Sequence, residues 1–146
     1  MVFRFDPTAD GATLAACEAA IARAYPGVPE ISAGEMPAGA LVYDVREKAE
    51  YEVSHIPGAI HVTPGDVPDP GGVPDARIIV CACSVGLRSA KLAAALRARG
   101  WTGAVNLRGG LFRWAKDGRD MENAAGPTRS VHPFDERWGL LLNEGA

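Results

Sequence analysis

The sequence predicts a single α/β domain built on a parallel β-sheet. Segments typical of strands and of helices alternate along the chain, which is the usual order in such a domain. Residues 78–82 are apolar without the alternation of a half-exposed strand, which indicates a central strand buried on both faces. The length of 146 residues suits one domain and leaves little room for a second core.

The N-terminal part of the chain predicts a helix, an extended segment and a capped turn. Residues 12–25 carry apolar side chains every three or four positions, as in an amphipathic helix, and Pro26-Gly27 ends it. Residues 29–31 are short and extended. Ser32 and Glu35 have the spacing of a capping box, so we expect a helical turn to begin after Ser32.

Strand and helix patterns alternate through the middle of the chain. The strand-like segments are residues 41–45, 60–62, 78–82 and 104–107. The helical segments are residues 46–53, 89–99 and 111–116. Ser89 is expected at the start of its helix, where a hydroxyl satisfies a free N–H group. Residues 64–76 are rich in proline and glycine and predict an irregular loop.

The segment after Gly118 has no clear pattern until residues 134–142, which predict a C-terminal helix. Pro133 suits the start of that helix because its missing N–H costs nothing there. The apolar residues of the segment have the spacing of one stripe, made of Val131, Phe134, Trp138 and Leu141. A stripe that contains tryptophan needs a partner surface, and we expect this chain's own domain to supply it.

Composition and charge exclude several classes of function. The chain has 15 basic and 18 acidic residues, whereas a nucleic-acid partner requires a basic excess, so we expect none. No apolar run approaches the roughly 20 residues of a membrane helix, and residues 1–10 lack a signal-peptide pattern. We therefore expect a cytoplasmic protein without membrane contact. Three cysteines without metal-ligand spacing predict reduced thiols and no metal site.

The segment from Cys83 to Ser89 is the candidate active site. It follows the buried strand and leads into a helix, which is where parallel sheets bind ligands. Cys83 is the candidate nucleophile, since helix N–H groups and the cation of Arg88 favour a thiolate. Gly86 permits a tight turn whose N–H groups form an anion nest. The candidate binding residues of the loop are Ser84, Val85, Gly86, Leu87 and Ser89.

The three cysteines are predicted to differ in role. A free cysteine is usually a small buried hydrophobe, and this interpretation is the better one for Cys17 and Cys81. Cys17 lies on the apolar stripe of the first helix, and Cys81 lies inside the buried strand. Cys81 and Cys83 are only two positions apart, which is too close for a relaxed disulfide within a strand. Only Cys83 combines a glycine turn, an arginine and a helix start.

Around this loop the chain resembles the rhodanese-like sulfurtransferases, whose active-site pattern C-x-x-G-x-R-S is matched by Cys83, Gly86, Arg88 and Ser89. Leu87 stands where relatives with a similar tail carry an aromatic residue. Three further segments agree with the family in order and spacing: D-V-R-E at 44–47, H-I-P-G-A-I at 55–60 and N-L-R-G-G-L-F-R-W at 106–114. Together the four motifs, spread over roughly residues 29–118, are much more specific than any one of them.

The resemblance implies a rhodanese-like three-layer α/β/α fold with a five-stranded parallel sheet. It implies that Cys83 carries sulfur as a persulfide, taken from a donor such as thiosulfate and passed to a thiol or cyanide without any cofactor. A protein is a further expected acceptor. Asp44 and Arg46 are further candidate substrate-binding residues. Asp44, at a strand end, is expected to bond loop N–H groups or to pair with a cation, and Arg46 is expected to face the pocket mouth and attract anionic donors. The alternatives are an ordinary strand-terminal cap for Asp44 and a solvated arginine for Arg46.

Two other functions stay open at the level of sequence. Phosphatases and arsenate reductases of the same fold have a loop one residue longer than the six residues from Cys83 to Arg88, so the loop length favours sulfur. A non-catalytic binding module usually lacks the cysteine. We expect an N-terminal helical extension (1–28), a rhodanese-like domain (29–120) and a C-terminal extension packed on the domain (121–146).

Overall fold

A computed structural model describes residues 3–144 of the chain. Its elements are α1 (Leu14–Ala24), β1 (Glu30–Ile31), a 3-10 turn (Ala33–Glu35), β2 (Leu41–Asp44), α2 (Lys48–Val53), β3 (Ile60–His61), β4 (Ile79–Ala82), α3 (Leu87–Ala98), β5 (Ala104–Leu107), α4 (Gly110–Lys116), β6 (Met121–Asn123), β7 (Gly126–Thr128) and α5 (Glu136–Leu142). Five parallel strands form one sheet in the order β1-β5-β4-β2-β3. Strands β6 and β7 form a separate antiparallel pair.

The central strand β4 separates two cores, because side chains alternate between the faces of a strand. Ile79 and Cys81 pack with Leu96 of α3 on one face. Val80 packs with Leu111 of α4 on the other face. Helices therefore cover both faces of a five-stranded parallel sheet, which confirms the predicted α/β/α fold class.

A third core joins both ends of the described chain to the sheet domain. Leu14 and Ile21 of α1 are buried with Phe112 of α4 and Leu141 of α5. The carboxylate oxygens of Glu144 accept hydrogen bonds from the N–H of Leu14 at 3.1 and 3.0 Å. This N–H is one of the unsatisfied donors at the start of α1, so the C-terminal segment caps the N-terminal helix.

The structure corrects the residues that were expected to start two of the helices. Helix α3 begins at Leu87, after Gly86 in the left-handed conformation, so Ser89 is not its cap. Helix α5 begins at Glu136, because Oδ1 of Asp135 accepts the N–H of Trp138 at 2.9 Å and caps the helix there. The segment before α5 therefore contains Val131, Pro133 and Phe134. The prediction of one helical stripe is wrong for Val131 and Phe134, because neither residue lies in the helix.

The hairpin of β6 and β7 was not predicted from the sequence. Strands of three residues carry too few alternating positions to produce a readable pattern. Met121 of β6 is nevertheless buried, and His55 and Glu122 pair through backbone hydrogen bonds of 2.9 and 3.0 Å. Over residues 3–144, no helix combines the length and the apolar character that crossing a bilayer requires.

Candidate active site

The loop that begins at Cys83 connects the end of β4 to the start of α3. Gly86 has a φ of 115°, a conformation that residues with a side chain rarely adopt. A Cβ atom at this position would lie 3.4 Å from Nδ2 of Asn106, so the loop also packs closely against β5. The turn at Gly86 directs N–H groups of the loop and of the first helical turn towards the sulfur of Cys83.

The Sγ atom of Cys83 is surrounded by hydrogen-bond donors. The N–H groups of Gly86 and Ser89 lie 3.2 and 3.4 Å from it. Oγ of Ser89 is 3.3 Å from Sγ and 2.7 Å from Oδ1 of Asn106, and its single proton serves one of them at a time. Nδ2 of Asn106 donates to the carbonyl of Gly86 at 3.0 Å. Such donors at the start of a helix favour negative charge on the sulfur.

Arg88 is held by the carboxylate of Glu50, a residue not predicted to belong to the site. Its Nη1 and Nη2 atoms donate to Oε1 and Oε2 of Glu50 at 2.8 and 3.0 Å. Nη2 also donates to Oγ of Ser84 at 2.9 Å, and that hydroxyl donates to Oε2 of Glu50 at 2.7 Å. The sequence predicted Arg88 as a fixed cation beside the cysteine. In the structure the charge of Arg88 is paired.

Glu50 is buried, with 2% of its side chain exposed, and it remains an anion. Burial opposes its charge, but hydrogen bonds from Arg88 and Ser84 and the positive charge of Arg88 outweigh burial and hold its pKa below the ordinary value. Burial likewise works against the charge of Arg88. The hydrogen bonds to Glu50, the charges of Cys83 and Glu50, and a hydrogen bond with Cys83 outweigh burial and raise the arginine pKa. One signal for Glu50 was present in the sequence, since it lies in the first turn of a helix that starts beyond the end of β2.

Asp44 and Arg46 pair with each other and lie outside the cavity beside Cys83. Nε and Nη2 of Arg46 donate to Oδ1 and Oδ2 of Asp44, both at 2.8 Å, and Nη2 also donates to the carbonyl of Ser54 at 2.6 Å. Arg46 has no exposed surface. The expectation that Arg46 faces the pocket mouth is therefore wrong, because its guanidinium binds inward to the end of β2 and the end of α2.

Cys17 and Cys81 have environments unlike that of Cys83. Burial, followed by the charge of Cys83 and then of Glu18, raises the pKa of the Cys17 thiol to about 12. Burial, followed by the charge of Cys83, also raises the pKa of Cys81. Both thiols are therefore neutral near pH 7 and pack as small apolar side chains.

A cavity of about 230 Å³ opens beside Cys83. It is lined by Cys83, Ser84, Val85, Leu87, Arg88, Phe134 and Trp138. Five of the predicted loop residues are thus brought together in its wall, while Gly86 and Ser89 contact the sulfur directly. The sequence identifies Phe134 and Trp138 only as apolar residues that need burial. Their place in this wall depends on where the C-terminal segment packs, which no local pattern reveals.

Comparison with known proteins gives the family. Residues 30–117 match the rhodanese-like domain. A sulfurtransferase of Allochromatium vinosum is 34% identical over 79 residues, which cover 53% of this chain and 74% of that protein. The probable adenylyltransferase/sulfurtransferase MoeZ of Mycobacterium tuberculosis is 37% identical over 76 residues, which cover 50% of this chain but only 19% of MoeZ.

A solved structure agrees with these relatives. The crystal structure of a rhodanese-like domain protein from Staphylococcus aureus has a TM-score of 0.52 and 29% identity, and the match covers 60% of this chain and 91% of that one. The family match begins at β1 and runs past the end of α4, so the whole parallel sheet and the cysteine loop lie inside it. The chain therefore belongs to the rhodanese-like domain family.

Proposed function

We propose that this protein is a sulfurtransferase that carries a sulfane sulfur as a persulfide on Cys83. The observation behind this proposal is the position of Sγ, 3.2 and 3.4 Å from the N–H groups of Gly86 and Ser89 at the start of α3. Donors fixed in this way stabilise an anionic sulfur without reorganising during the reaction. The relatives named as sulfurtransferases support the same class of reaction.

In the loading step, the Cys83 thiolate attacks the outer sulfur of a small donor such as thiosulfate. A bond forms between Sγ and that sulfur, the S–S bond of thiosulfate breaks, and its electron pair leaves with sulfite. The protein then holds a persulfide anion, and the N–H groups of the loop stabilise its charge. Atoms, electrons and charge balance without an added oxidant.

In the second step, an acceptor attacks the outer sulfur of the persulfide. The S–S bond breaks and its electron pair returns to Sγ, which restores the Cys83 thiolate. Cyanide leaves as thiocyanate, and a thiol leaves as a persulfide, with the thiol proton passing to solvent or product. A cysteine of another protein is a further acceptor in this proposal. Three free thiols suit a reducing compartment, so we assign the activity to the cytoplasm.

The six-residue loop supports sulfur transfer over phosphate or arsenate chemistry, because a tetrahedral oxyanion needs a wider cradle. The test is a parallel assay of thiosulfate with cyanide, an aryl phosphate and arsenate, together with mass spectrometry of protein treated with thiosulfate. We expect turnover of thiosulfate alone and an adduct of about 32 Da, one sulfur atom, on the peptide that contains Cys83. Turnover of the phosphate or arsenate without a sulfur adduct would contradict the proposal. A protein that only binds would show neither turnover of any substrate nor a sulfur adduct.

A further inference from the structure

Two walls of the cavity beside Cys83 come from the C-terminal segment, outside the residues that match the family. Phe134 and Trp138 form these walls. Trp138 stacks on Phe5 with ring centroids 5.9 Å apart, and Leu141, one helical turn further along α5, is buried in the third core. The walls are therefore attached to the rest of the domain and are not a free tail.

Phe134 is kept in an unfavourable backbone conformation at this place. Its φ is 69°, in the left-handed region that side chains other than those of asparagine and aspartate seldom occupy. Its ring lies 5.1 Å from Cζ of Arg88, and 45% of the residue is exposed. Strain of this kind persists at positions where the surroundings impose it, often at binding sites. Because the ring of Phe134 is exposed, it adds little to the hydrophobic core. A role in the cavity therefore explains the unfavourable backbone conformation better than a role in folding does.

Away from the sulfur of Cys83, the cavity offers little net charge to a ligand. Apart from Cys83 itself, Arg88 is the one ionisable residue in its lining within residues 3–144, and its guanidinium bonds both carboxylate oxygens of Glu50. Val85, Leu87, Phe134 and Trp138 make the rest of the wall mainly apolar. The volume of about 230 Å³ exceeds by several times the roughly 30 Å³ share of one water molecule, so a small organic body fits beside the sulfur.

We propose that this cavity binds the carbon skeleton of a small thiol acceptor, and that Phe134 and Trp138 select acceptors with an apolar or aromatic body over charged ones. This inference rests on the proposed persulfide on Cys83 and names the acceptor class for that site. The acceptor sulfur attacks the outer sulfur of the persulfide while its apolar body lies against the two rings. The S–S bond to Cys83 breaks, the electron pair returns to Sγ, and the acceptor leaves as its persulfide.

The experiment uses full-length protein loaded with thiosulfate and freed of excess donor. Discharge is measured in single turnovers with phenylmethanethiol and with 2-mercaptoethanesulfonate, two alkyl thiols with an aromatic and an anionic body. The quantity compared is the ratio of the two rate constants, in which effects common to both thiols cancel. We expect Phe134→Ala to lower this ratio about three- to tenfold, the range of one lost aromatic contact. Leu140→Ala is the matched control, since Leu140 lies on α5 and is 53% exposed outside the cavity lining.

The variant Phe134→Leu distinguishes two roles of Phe134: contact with the acceptor and support of the Arg88 side chain. Leucine keeps an apolar surface but removes the ring over the guanidinium, so we expect it to retain most of the preference for phenylmethanethiol. Equal slowing of both thiols in Phe134→Ala and Phe134→Leu would overturn the proposal, because the ring would then act through Arg88. An unchanged ratio in Phe134→Ala would overturn it as well. If wild-type protein gains no sulfur adduct on Cys83, the proposed function falls and this inference falls with it.

Discussion

Glu50 and Arg88 form an ion pair through two hydrogen bonds of 2.8 and 3.0 Å, between residues 38 positions apart in the chain. The pair joins α2, which follows β2, to the cysteine loop, which follows β4. It fixes the direction of the Arg88 side chain and neutralises its charge at the edge of the cavity. Arg88, which the sequence predicted as a fixed cation beside Cys83, thus also ties the cysteine loop to α2.

Removing the charge of Glu50 is expected to destabilise the fold in a pH-dependent way. Breaking a buried pair typically costs 3–5 kcal/mol, and because Arg88 keeps some solvent contact we expect about 2 kcal/mol or more for Glu50→Gln near pH 7. The pKa of Glu50 is lowered from 4.5 in the folded state, so its contribution is complete above that value and is lost as the pH falls below it. Denaturant unfolding at several pH values measures the difference between wild type and variant.

The matched control for this experiment is Glu52→Gln on the same helix. Glu52 pairs with Lys48 at 3.6 Å, and both side chains are largely exposed. Exposed pairs contribute about 0–1 kcal/mol, so this variant should remain close to wild type. If Glu50→Gln and Glu52→Gln lost equal stability at all pH values, the ion pair of Glu50 would have no special role.

Arg88→Lys is expected to lower sulfur transfer by about tenfold or more, which corresponds to ~1.4 kcal/mol of transition-state stabilisation. Lysine keeps the charge but lacks the planar fork that binds both carboxylate oxygens of Glu50. Steady-state kinetics with thiosulfate and cyanide measures the effect. Arg99→Lys is the control: this exposed residue follows the end of α3, and the variant should keep wild-type kinetics. Full activity of Arg88→Lys would mean that two-point pairing is unimportant for the site.

The three cysteines should respond differently to replacement. We expect Cys83→Ser to abolish sulfur transfer, because only Cys83 meets the N–H groups of Gly86 and Ser89. Cys17→Ser and Cys81→Ala should retain transfer, since both thiols are buried and protonated. Cys81→Ala is also expected to lower the free energy of unfolding by ~1 kcal/mol through a small cavity. Transfer by Cys83→Ser at the wild-type rate would end the persulfide hypothesis.

Gly86→Ala and Gly58→Ala test whether the loop conformation matters for chemistry. Both glycines have positive φ, 115° and 81°, so each alanine is expected to cost about 1–2 kcal/mol of stability. A Cβ at Gly58 would meet nothing within 4 Å, whereas Gly86 donates its N–H to Sγ of Cys83. We therefore expect sulfur transfer to fall only in Gly86→Ala. A comparable loss of activity in both variants would point to a general effect of instability.

Adjacent leucines of α5 test how firmly the C-terminal segment is attached. Leu141 is 1% exposed in the third core, and Leu140 is 53% exposed. Leu141→Ala should lower the free energy of unfolding by about 2–5 kcal/mol. Leu140→Ala should change it by less than about 0.5 kcal/mol. If both variants had the same free energy of unfolding as wild type, α5 would not pack on the domain. If the melting temperature of wild type rose with protein concentration, the packing would be between subunits.

The sequence by itself determined the central features of the fold and indicated the candidate active-site loop. The apolar run at 78–82 predicted the buried strand β4, and β5 matches its predicted limits, 104–107. The cysteine loop was located for the same reason, since its glycine, its arginine and the following helix are neighbours in the chain. Such features depend on short-range patterns of polarity and backbone preference, which a sequence displays directly.

The tertiary structure alone decided which partner each charged side chain binds and which residues close the cavity beside Cys83. Arg46 binds inward to Asp44, Arg88 binds Glu50, and Phe134 closes the cavity from a segment that follows the family match. A charged residue at the end of a strand has the same local pattern whether it faces a pocket or a buried partner. The choice depends on how α2 and α5 pack against the sheet, and it is made by contacts between residues far apart in the chain.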